Sequence, residues 1–188
     1  MKKNKGFTLV ELLAMLVVIG VLMAISIPNI TGILSQSKNN QIEQDIIKMV
    51  DMAKIKMNTD KAAKYPEGEN AILLTLSYID DERDVLTGPN GGYYYRYDSF
   101  VVVLKEGNSY KYYVRLVENN NSYNFGVNIA DYATFKKNKN SLIGNVDTIY
   151  NYHDKSTVET INEVYDIIED DSKSDYKFIA YLAKEEHN

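Results

Sequence analysis

The chain of 188 residues contains no cysteine, no tryptophan and only two histidines. Without cysteine there is no disulfide framework, no thiol nucleophile and no thiolate metal site, so the fold must be held together by core packing alone. The formal net charge of −5 argues against general nucleic-acid binding. The length allows one domain with a substantial hydrophobic core and is short for two.

Sequence signatures of catalysis are also missing. His153, Asp154 and Ser156 have the residue types of a hydrolase, but adjacent residues do not form a triad, and neither a nucleophile elbow nor a glycine-rich phosphate loop accompanies them. The acidic runs 80–84 and 169–171 lack the alternate spacing of a calcium loop, so we interpret them as solvated surface. We therefore expect no enzyme, no cofactor and no metal.

Charge is almost absent from the first part of the chain. Residues 7–33 contain Glu11 as their only charged side chain, and lysines precede them. As a helix this run would be about 40 Å long, enough to cross a hydrocarbon layer of about 30 Å. The run is longer than the apolar part of a cleaved secretory signal, and the lysines favour a cytoplasmic N-terminus. We predict a retained membrane anchor over residues 7–34.

Glu11 needs an explanation, because a carboxylate inside hydrocarbon costs about 3 kcal/mol on insertion scales. A glutamate near the membrane edge could extend its carboxylate to the interface. Alternatively, Glu11 could pair with a cation from another copy of the chain, since a paired buried charge is tolerated where an unpaired one is not. Composition alone leaves both possibilities open.

The local motif favours pairing. The residues around Glu11, KGFTLVELL, resemble the processing and assembly signature of type IV pilins and their relatives. The resemblance implies that a prepilin peptidase cuts between Gly6 and Phe7 and that Phe7 becomes the N-methylated first residue. It also implies that the Glu11 carboxylate meets the Phe7 amine of a neighbouring subunit and so sets the axial register of a filament.

Two further positions fit the same resemblance. Gly20 and Pro28 stand where many pilins carry a glycine and a proline in the anchor helix. Proline removes a helical hydrogen bond and glycine weakens a helix. Since this stretch can unwind in assembled pili of the family, the resemblance implies a flexible stretch between Gly20 and Pro28.

The resemblance divides the chain into a leader (1–6), an apolar transmembrane and assembly helix (7–34) and an extracellular headgroup (35–188). It implies the α+β type IV pilin fold, a long N-terminal helix packed on an antiparallel sheet. Apolar residues at helical spacing independently predict that the helix continues to residue 59 as the spine of the headgroup: Ile42, Ile46, Met49, Ala53 and Met57.

The sequence after this helix predicts turns, strands and short helices. A turn at 65–68 ends the helix, and a short helix over 71–86 follows. The alternation of apolar and polar residues in the predicted strand around residue 113 places Lys111 and Arg115 on the face toward solvent. The sixteen tyrosines fit strand positions, with a carbohydrate-binding surface as the alternative. Four strands are expected, at 93–97, 100–105, 110–118 and 123–129, with turns at 106–108 and 119–121.

Beyond residue 130 the chain has more than a minimal pilin needs. We predict a polar loop at 136–140, a helix from a capping box at Ser156 and Glu159 to Ile168, a loop at 169–174 and a last strand at 176–182. This extra helix and strand favour a minor pilin of low copy number over a major pilin. A pseudopilin of a type II secretion or competence system is a further alternative, and a membrane-anchored surface binding protein or enzyme is the rival class.

The expected function is therefore structural. The resemblance implies a subunit of a type IV pilus, a filament used for adhesion, twitching motility or biofilm formation. Its partners would be other pilin subunits, a prepilin peptidase, the inner assembly platform and, before assembly, the membrane, with no nucleic acid. The protein would begin as a single-pass membrane protein with a cytoplasmic N-terminus and end in a fibre on the cell surface.

Overall fold

The structure, a computed structural model, describes part of the chain at residues 7–80, 86–120, 123–147, 158–161, 168, 171–173 and 175–182. The side chains of 25–30, 158–161 and 178 lie outside that description. The chain divides into two compact units, Met1–Lys38 and Asn39–Asn188. The second unit begins four residues later than the predicted headgroup (35–188), and from here on we call this second unit the headgroup.

The first element is a long helix, α1, which covers Leu9–Thr59. In the headgroup, one face of α1 is fully or almost fully buried, and the five residues predicted for that face are all on it. The prediction of a helix to residue 59 is confirmed, although the helix begins two residues later than expected, at Leu9. The buried face consists of Ile42, Ile46, Met49, Val50, Ala53 and Met57.

The described part of the headgroup contains one eight-stranded sheet in the order β6-β5-β4-β3-β1-β8-β7, with β2 paired to β4. The strands are β1 (Asn70–Thr75), β2 (Tyr93–Tyr94), β3 (Phe100–Glu106), β4 (Ser109–Asn119), β5 (Asn124–Asp131), β6 (Ile143–Asn145), β7 (Val158–Ile161) and β8 (Lys177–Tyr181). Short helices are α2 (Leu76–Ile79), α3 (Tyr132–Leu142) and a 3₁₀ turn at Asp171–Lys173.

The sheet is mixed and is buried on both faces at its centre. Neighbouring strands are antiparallel except β1 and β8, which are parallel, so the predicted antiparallel sheet needs this correction. On one face Ile72, Val101 and Leu116 share a core with the buried side of α1. On the other, Leu73 and Val102 share a second core with Ile168 from the C-terminal region. The sheet thus separates two cores.

The helix predicted at 71–86 is wrong over its first part, where β1 lies. Residues 71–74 are apolar without a break and are buried on both faces of the sheet. A short apolar run of this kind fits a central strand as well as a helix, and only its neighbours decide. β1 hydrogen-bonds to β3 on one side and β8 on the other. The single turn α2 follows, capped by the Thr75 hydroxyl, and residues 81–85 lie outside the described part.

The polar loop predicted at 136–140 is instead part of α3. The Asp131 carboxylate accepts a hydrogen bond of 2.8 Å from the Thr134 amide and caps the helix. Phe135 is completely buried in the core shared with α1, so one apolar side chain fixes an otherwise polar segment. The helix is kinked at Asn138, which has non-helical backbone angles (φ −126°, ψ 29°).

The helix predicted to begin at Ser156 is wrong over Val158–Ile161, which form β7 and pair with β8. Ser156 itself lies outside the described residues. The strand predicted at 176–182 is confirmed as β8, while that at 93–97 shrinks to the two residues of β2. β3, β4 and β5 agree with their predictions within about two residues at each end.

Two charged residues expected at the surface are buried. Arg115 has no exposed surface; its Nη2 lies 2.8 Å from Asp98 Oδ2, and its Nε donates to the Asp98 carbonyl at 3.0 Å. Asp80 is 3% exposed, and its Oδ2 lies 2.9 Å from Arg96 Nη1. The predictions of a solvent-facing Arg115 and a solvated Asp80 are therefore wrong, because each side chain has a partner of opposite charge that the local sequence does not reveal.

Candidate functional site

The start of α1 is built around Thr8 and Glu11. The Glu11 Oε2 atom accepts hydrogen bonds from the Thr8 amide and the Thr8 hydroxyl, each at 2.8 Å. In return the Glu11 amide donates to Thr8 Oγ1 at 3.3 Å. Since α1 begins at Leu9, Thr8 is the N-cap residue and Glu11 is the third helical residue, the reciprocal arrangement of a capping box.

This geometry gives Glu11 a local partner that the sequence analysis missed. The signal that could have found it is the spacing Thr-x-x-Glu at residues 8–11, the same kind of capping-box signature as at residues 156–159. A carboxylate at the first turn also interacts favourably with the helix dipole. Both accepted bonds fall on one carboxylate oxygen, so the arrangement holds the charge at the beginning of the helix.

Among the predicted processing residues, Phe7 directly precedes this cap and is 73% exposed. Gly6 lies outside the described residues. The structure therefore places Phe7 beside the capping box, with Thr8 between Phe7 and the helix. Cleavage and methylation at these two positions stay predictions.

The predicted flexible stretch lies within α1, which is helical from end to end. A side-chain carbon built on Gly20 would meet no neighbouring atom within 4 Å, so no contact in the single chain requires glycine there. Pro28 lies in the helix as well. Unwinding between Gly20 and Pro28 stays a prediction about the assembled state.

The N-terminal part of α1 carries a large exposed apolar surface. Every large hydrophobic side chain from Phe7 to Met23 is between 47% and 80% exposed. Exposed apolar patches of this extent mark contacts with a partner or with lipid. In the part of the chain that the structure describes, no helix meets the length and apolarity needed to cross a membrane.

A second cluster of polar side chains organises the headgroup around Glu118. Its buried carboxylate accepts hydrogen bonds from the Asn90 amide at 2.9 Å, the Asn90 side chain at 2.8 Å and the Gly92 amide at 2.9 Å. A side-chain carbon on Gly92 would lie 2.1 Å from the Asn119 carbonyl oxygen, so the turn requires glycine. Gln41 on α1 donates to the Thr87 carbonyl at 2.8 Å and ties the same turn to the helix.

Next to this turn, a buried carboxylate on α1 meets a tyrosine. The Tyr94 hydroxyl donates to Asp45 Oδ2 at 2.8 Å. Burial raises the pKa of Asp45, although the Tyr94 hydrogen bond and the Lys48 charge oppose the shift. Burial and the Asp45 charge also hold the pKa of Tyr94 well above its ordinary value. Because these polar side chains hydrogen-bond to one another and to the turn, we interpret the cluster as structural, holding the turn against α1.

The described residues contain no group of three or more metal-ligating side chains. In the acidic run 169–171, Asp171 is exposed in the 3₁₀ turn, and residues 169 and 170 lie outside the description. Of the tyrosines, Tyr93 is 78% exposed, while Tyr65 and Tyr112 pack against the core. His153 and Asp154, like Ser156, lie outside the described residues.

Comparisons with known proteins agree with this N-terminal site. Residues 1–27 match the family described as "Prokaryotic N-terminal methylation motif". The chain is 27% identical over 96 residues to the type II secretion system core protein G of Klebsiella pneumoniae. That similarity covers 50% of this chain and 65% of the relative. No solved structure matches the chain at a significant level.

The methylation motif falls on the residues that form the capping box, and the fold behind it is a long N-terminal helix packed on a sheet. The relative is itself a core protein of a secretion system. In its motif, its relative and its α+β fold, the chain is similar to type IV pilin-like proteins.

Proposed function

We propose that the chain is a structural subunit of an extracellular filament of the type IV pilus class. It is made as a membrane-anchored precursor with a cytoplasmic N-terminus, cut between Gly6 and Phe7, and N-methylated at Phe7. The observation that carries the proposal is the exposed apolar surface of α1, which begins at a capped glutamate inside the methylation motif. Its partners are other pilin subunits, a prepilin peptidase and the inner assembly platform.

The exposed apolar side chains of α1 are consistent with two successive surroundings for this helix. Apolar surface of this extent is unfavourable in water, so it needs lipid before assembly and neighbouring helices afterwards. The run of residues 7–33 is long enough for a membrane anchor by its sequence. Moving from lipid to a helical core exchanges one apolar environment for another and requires no refolding of the headgroup.

Glu11 is the proposed docking residue within that surface. In the single chain its carboxylate is hydrogen-bonded to Thr8, which makes one charge in an apolar segment tolerable. In a filament the Phe7 amine of a neighbouring subunit would neutralise it. A misplaced neighbour would leave the charge without a cation, so the pairing selects one axial register.

The rank of the subunit depends on the C-terminal region. The prediction of a minor pilin assumes that the segment after Ile129 is not needed to cover α1. Phe135 and Tyr181 both lie in the core shared with α1, so that reason for a minor pilin is lost. Stoichiometry in purified fibres separates the two ranks, since a minor pilin would be scarce relative to another subunit.

A pseudopilin is the second candidate, and the Klebsiella relative is the observation that favours it. Deletion of the gene separates the two functions. Loss of surface fibres with normal export of secreted proteins supports a pilin. Loss of export with intact surface fibres supports a pseudopilin.

Processing is tested by mass spectrometry of the native protein. We expect a chain that begins at a methylated Phe7. An intact N-terminus at Met1, or a cut beyond residue 30, contradicts the proposal and supports an anchored surface protein of another class.

The docking role is tested by Glu11→Ala, with Glu67→Ala as the control because Glu67 is an exposed glutamate of the headgroup. We expect Glu11→Ala to enter the membrane at least as well as wild type, since a charge leaves the apolar segment. Its content in sheared fibres relative to membranes should fall strongly, while Glu67→Ala matches wild type. Equal incorporation of both variants contradicts docking through Glu11.

A further inference from the structure

A basic surface in the described part of the headgroup lies on α3. Lys136 and Lys137 are exposed, and Lys139 is partly exposed two residues later. The Lys136 ammonium lies 5.5 Å from the ring centre of Tyr132 on the same helix. We call Lys136, Lys137 and Lys139 the α3 lysines. They are concentrated in a chain whose net charge is −5.

The helix α3, through Lys139 and Asn140, is held against the beginning of the headgroup part of α1. Lys139 Nζ donates to Asn40 Oδ1 at 3.0 Å and forms an ion pair with Glu43. Asn39 donates from its side-chain amide to Asn140 Oδ1 at 3.3 Å. With Phe135 buried beneath it, α3 is fixed to this part of α1 by packing and by polar contacts.

Chain length places this surface within reach of a membrane. The apolar run ends at Leu34, and Asn39 already contacts α3. Five residue steps span at most about 18 Å even when fully extended. If residues 7–34 lie in the bilayer, the α3 lysines therefore lie within a short distance of the headgroups of its outer surface.

We propose that the α3 lysines bind anionic lipid headgroups while the subunit is anchored, an inference that rests on the membrane anchor proposed above. The ammonium group of lysine is a point charge suited to phosphate oxygens. Lys139 is already paired with Glu43, which leaves Lys136 and Lys137 to make the lipid contact. Because the chain as a whole is negative, these lysines would turn one particular side of the headgroup toward an anionic surface.

The test uses the full chain in vesicles. Because the chain has no cysteine, Ser141→Cys on exposed α3 provides a single site for a fluorescent label. Contact with lipid is read as quenching of the label by lipids that carry a quencher at headgroup depth. The vesicles contain phosphatidylcholine alone or mixed with phosphatidylglycerol, and resistance to alkaline extraction reports whether the chain is anchored.

We expect stronger quenching in the anionic vesicles and its loss at high salt. The variant Lys136→Gln, Lys137→Gln should lower the contact equilibrium constant about fivefold for each lysine. The variant Lys61→Gln, Lys64→Gln removes the same charge from exposed lysines beyond the end of α1 and should leave quenching unchanged.

Three results would overturn the inference. Quenching that ignores lipid charge in an extraction-resistant chain refutes the lipid site and leaves the anchor standing. If quenching depends on the protein-to-lipid ratio and not on lipid charge, the lysines contact a neighbouring copy of the chain and not lipid. A chain removed by alkali from both kinds of vesicle refutes the anchor, and the lipid site with it.

Discussion

The N-terminal part of α1 is almost continuously apolar, whereas the headgroup part carries its apolar residues mainly on one face, and the two parts have opposite surroundings. From Phe7 to Met23 its large hydrophobic side chains are exposed in the single chain, whereas Ile42, Ile46 and Met49 have no exposed surface. The difference lies in what the rest of the chain supplies. The headgroup part packs on one face of the sheet, while the large hydrophobic side chains of the N-terminal part are exposed in the described part of the chain.

Charges follow the same division. In the headgroup, Arg115 is buried against Asp98, and Glu118 is buried against the turn that contains Asn90. At the N-terminus, Glu11 is hydrogen-bonded to Thr8 within the part of the chain that the structure describes. Among the described residues, no buried side-chain nitrogen or oxygen lacks a hydrogen-bond partner, so the headgroup satisfies these groups internally. The docking role proposed for Glu11 would instead add a partner from a second chain.

The largest expected effect is loss of the buried ion pair by Arg115→Met. The Asp98 carboxylate would remain buried without its cation, so the free energy of unfolding should fall by about 3–5 kcal/mol. Urea unfolding of the full chain in detergent, followed by tyrosine fluorescence, measures the change. Lys111→Met on the same strand is the control and should cost less than about 1 kcal/mol. Equal losses would mean that the headgroup does not depend on this internal pair.

A matched pair of leucines tests the comparison directly. Leu74→Ala removes a fully buried side chain and should lower the free energy of unfolding by about 2–5 kcal/mol. Leu16 is 61% exposed, so Leu16→Ala should change it by less than about 0.5 kcal/mol. Fibre incorporation, measured separately, should show a defect for Leu16→Ala. A large unfolding effect of Leu16→Ala would show that the N-terminal part is already packed in the single chain.

The capping box predicts a smaller, local effect of Thr8→Val. This nearly isosteric change removes the hydroxyl that donates to Glu11, and should destabilise the first turn of α1 by about 1 kcal/mol. Amide hydrogen exchange of residues 9–12 in detergent micelles measures it. Thr8→Ser retains the hydroxyl and should exchange like wild type. If Thr8→Val exchanges equally slowly, the cap does not hold the start of the helix.

The smallest effect is expected at Asp45. Burial raises its folded-state pKa above the unfolded value, so the ionised form opposes folding at neutral pH. As pH falls through the raised folded pKa toward the ordinary value, wild type regains this stability. Asp45→Asn should therefore unfold at slightly higher urea than wild type at neutral pH, and the gap should close on acidification. Asp51→Asn, an exposed position on the same helix, controls for net charge. A gap that widens on acidification contradicts the assignment.

The sequence by itself determined the features that depend on local pattern. The period of apolar residues fixed the buried face of α1, because a helix that packs on one side needs side chains three and four positions apart. The turn at Gly107 joins β3 and β4 as expected, and its positive φ of 58° suits glycine. The N-terminal motif likewise pointed to the pilin class from a few adjacent residues.

Only the tertiary structure decided the features that depend on distant partners. Residues 71–74 form a strand because β3 and β8 lie on either side, and residues 136–140 are helical because Phe135 is buried against α1. Arg115 is buried because Asp98, on a separate turn, reaches it. In each case the local pattern allowed two conformations, and a contact with a residue distant in the sequence stabilised one of them.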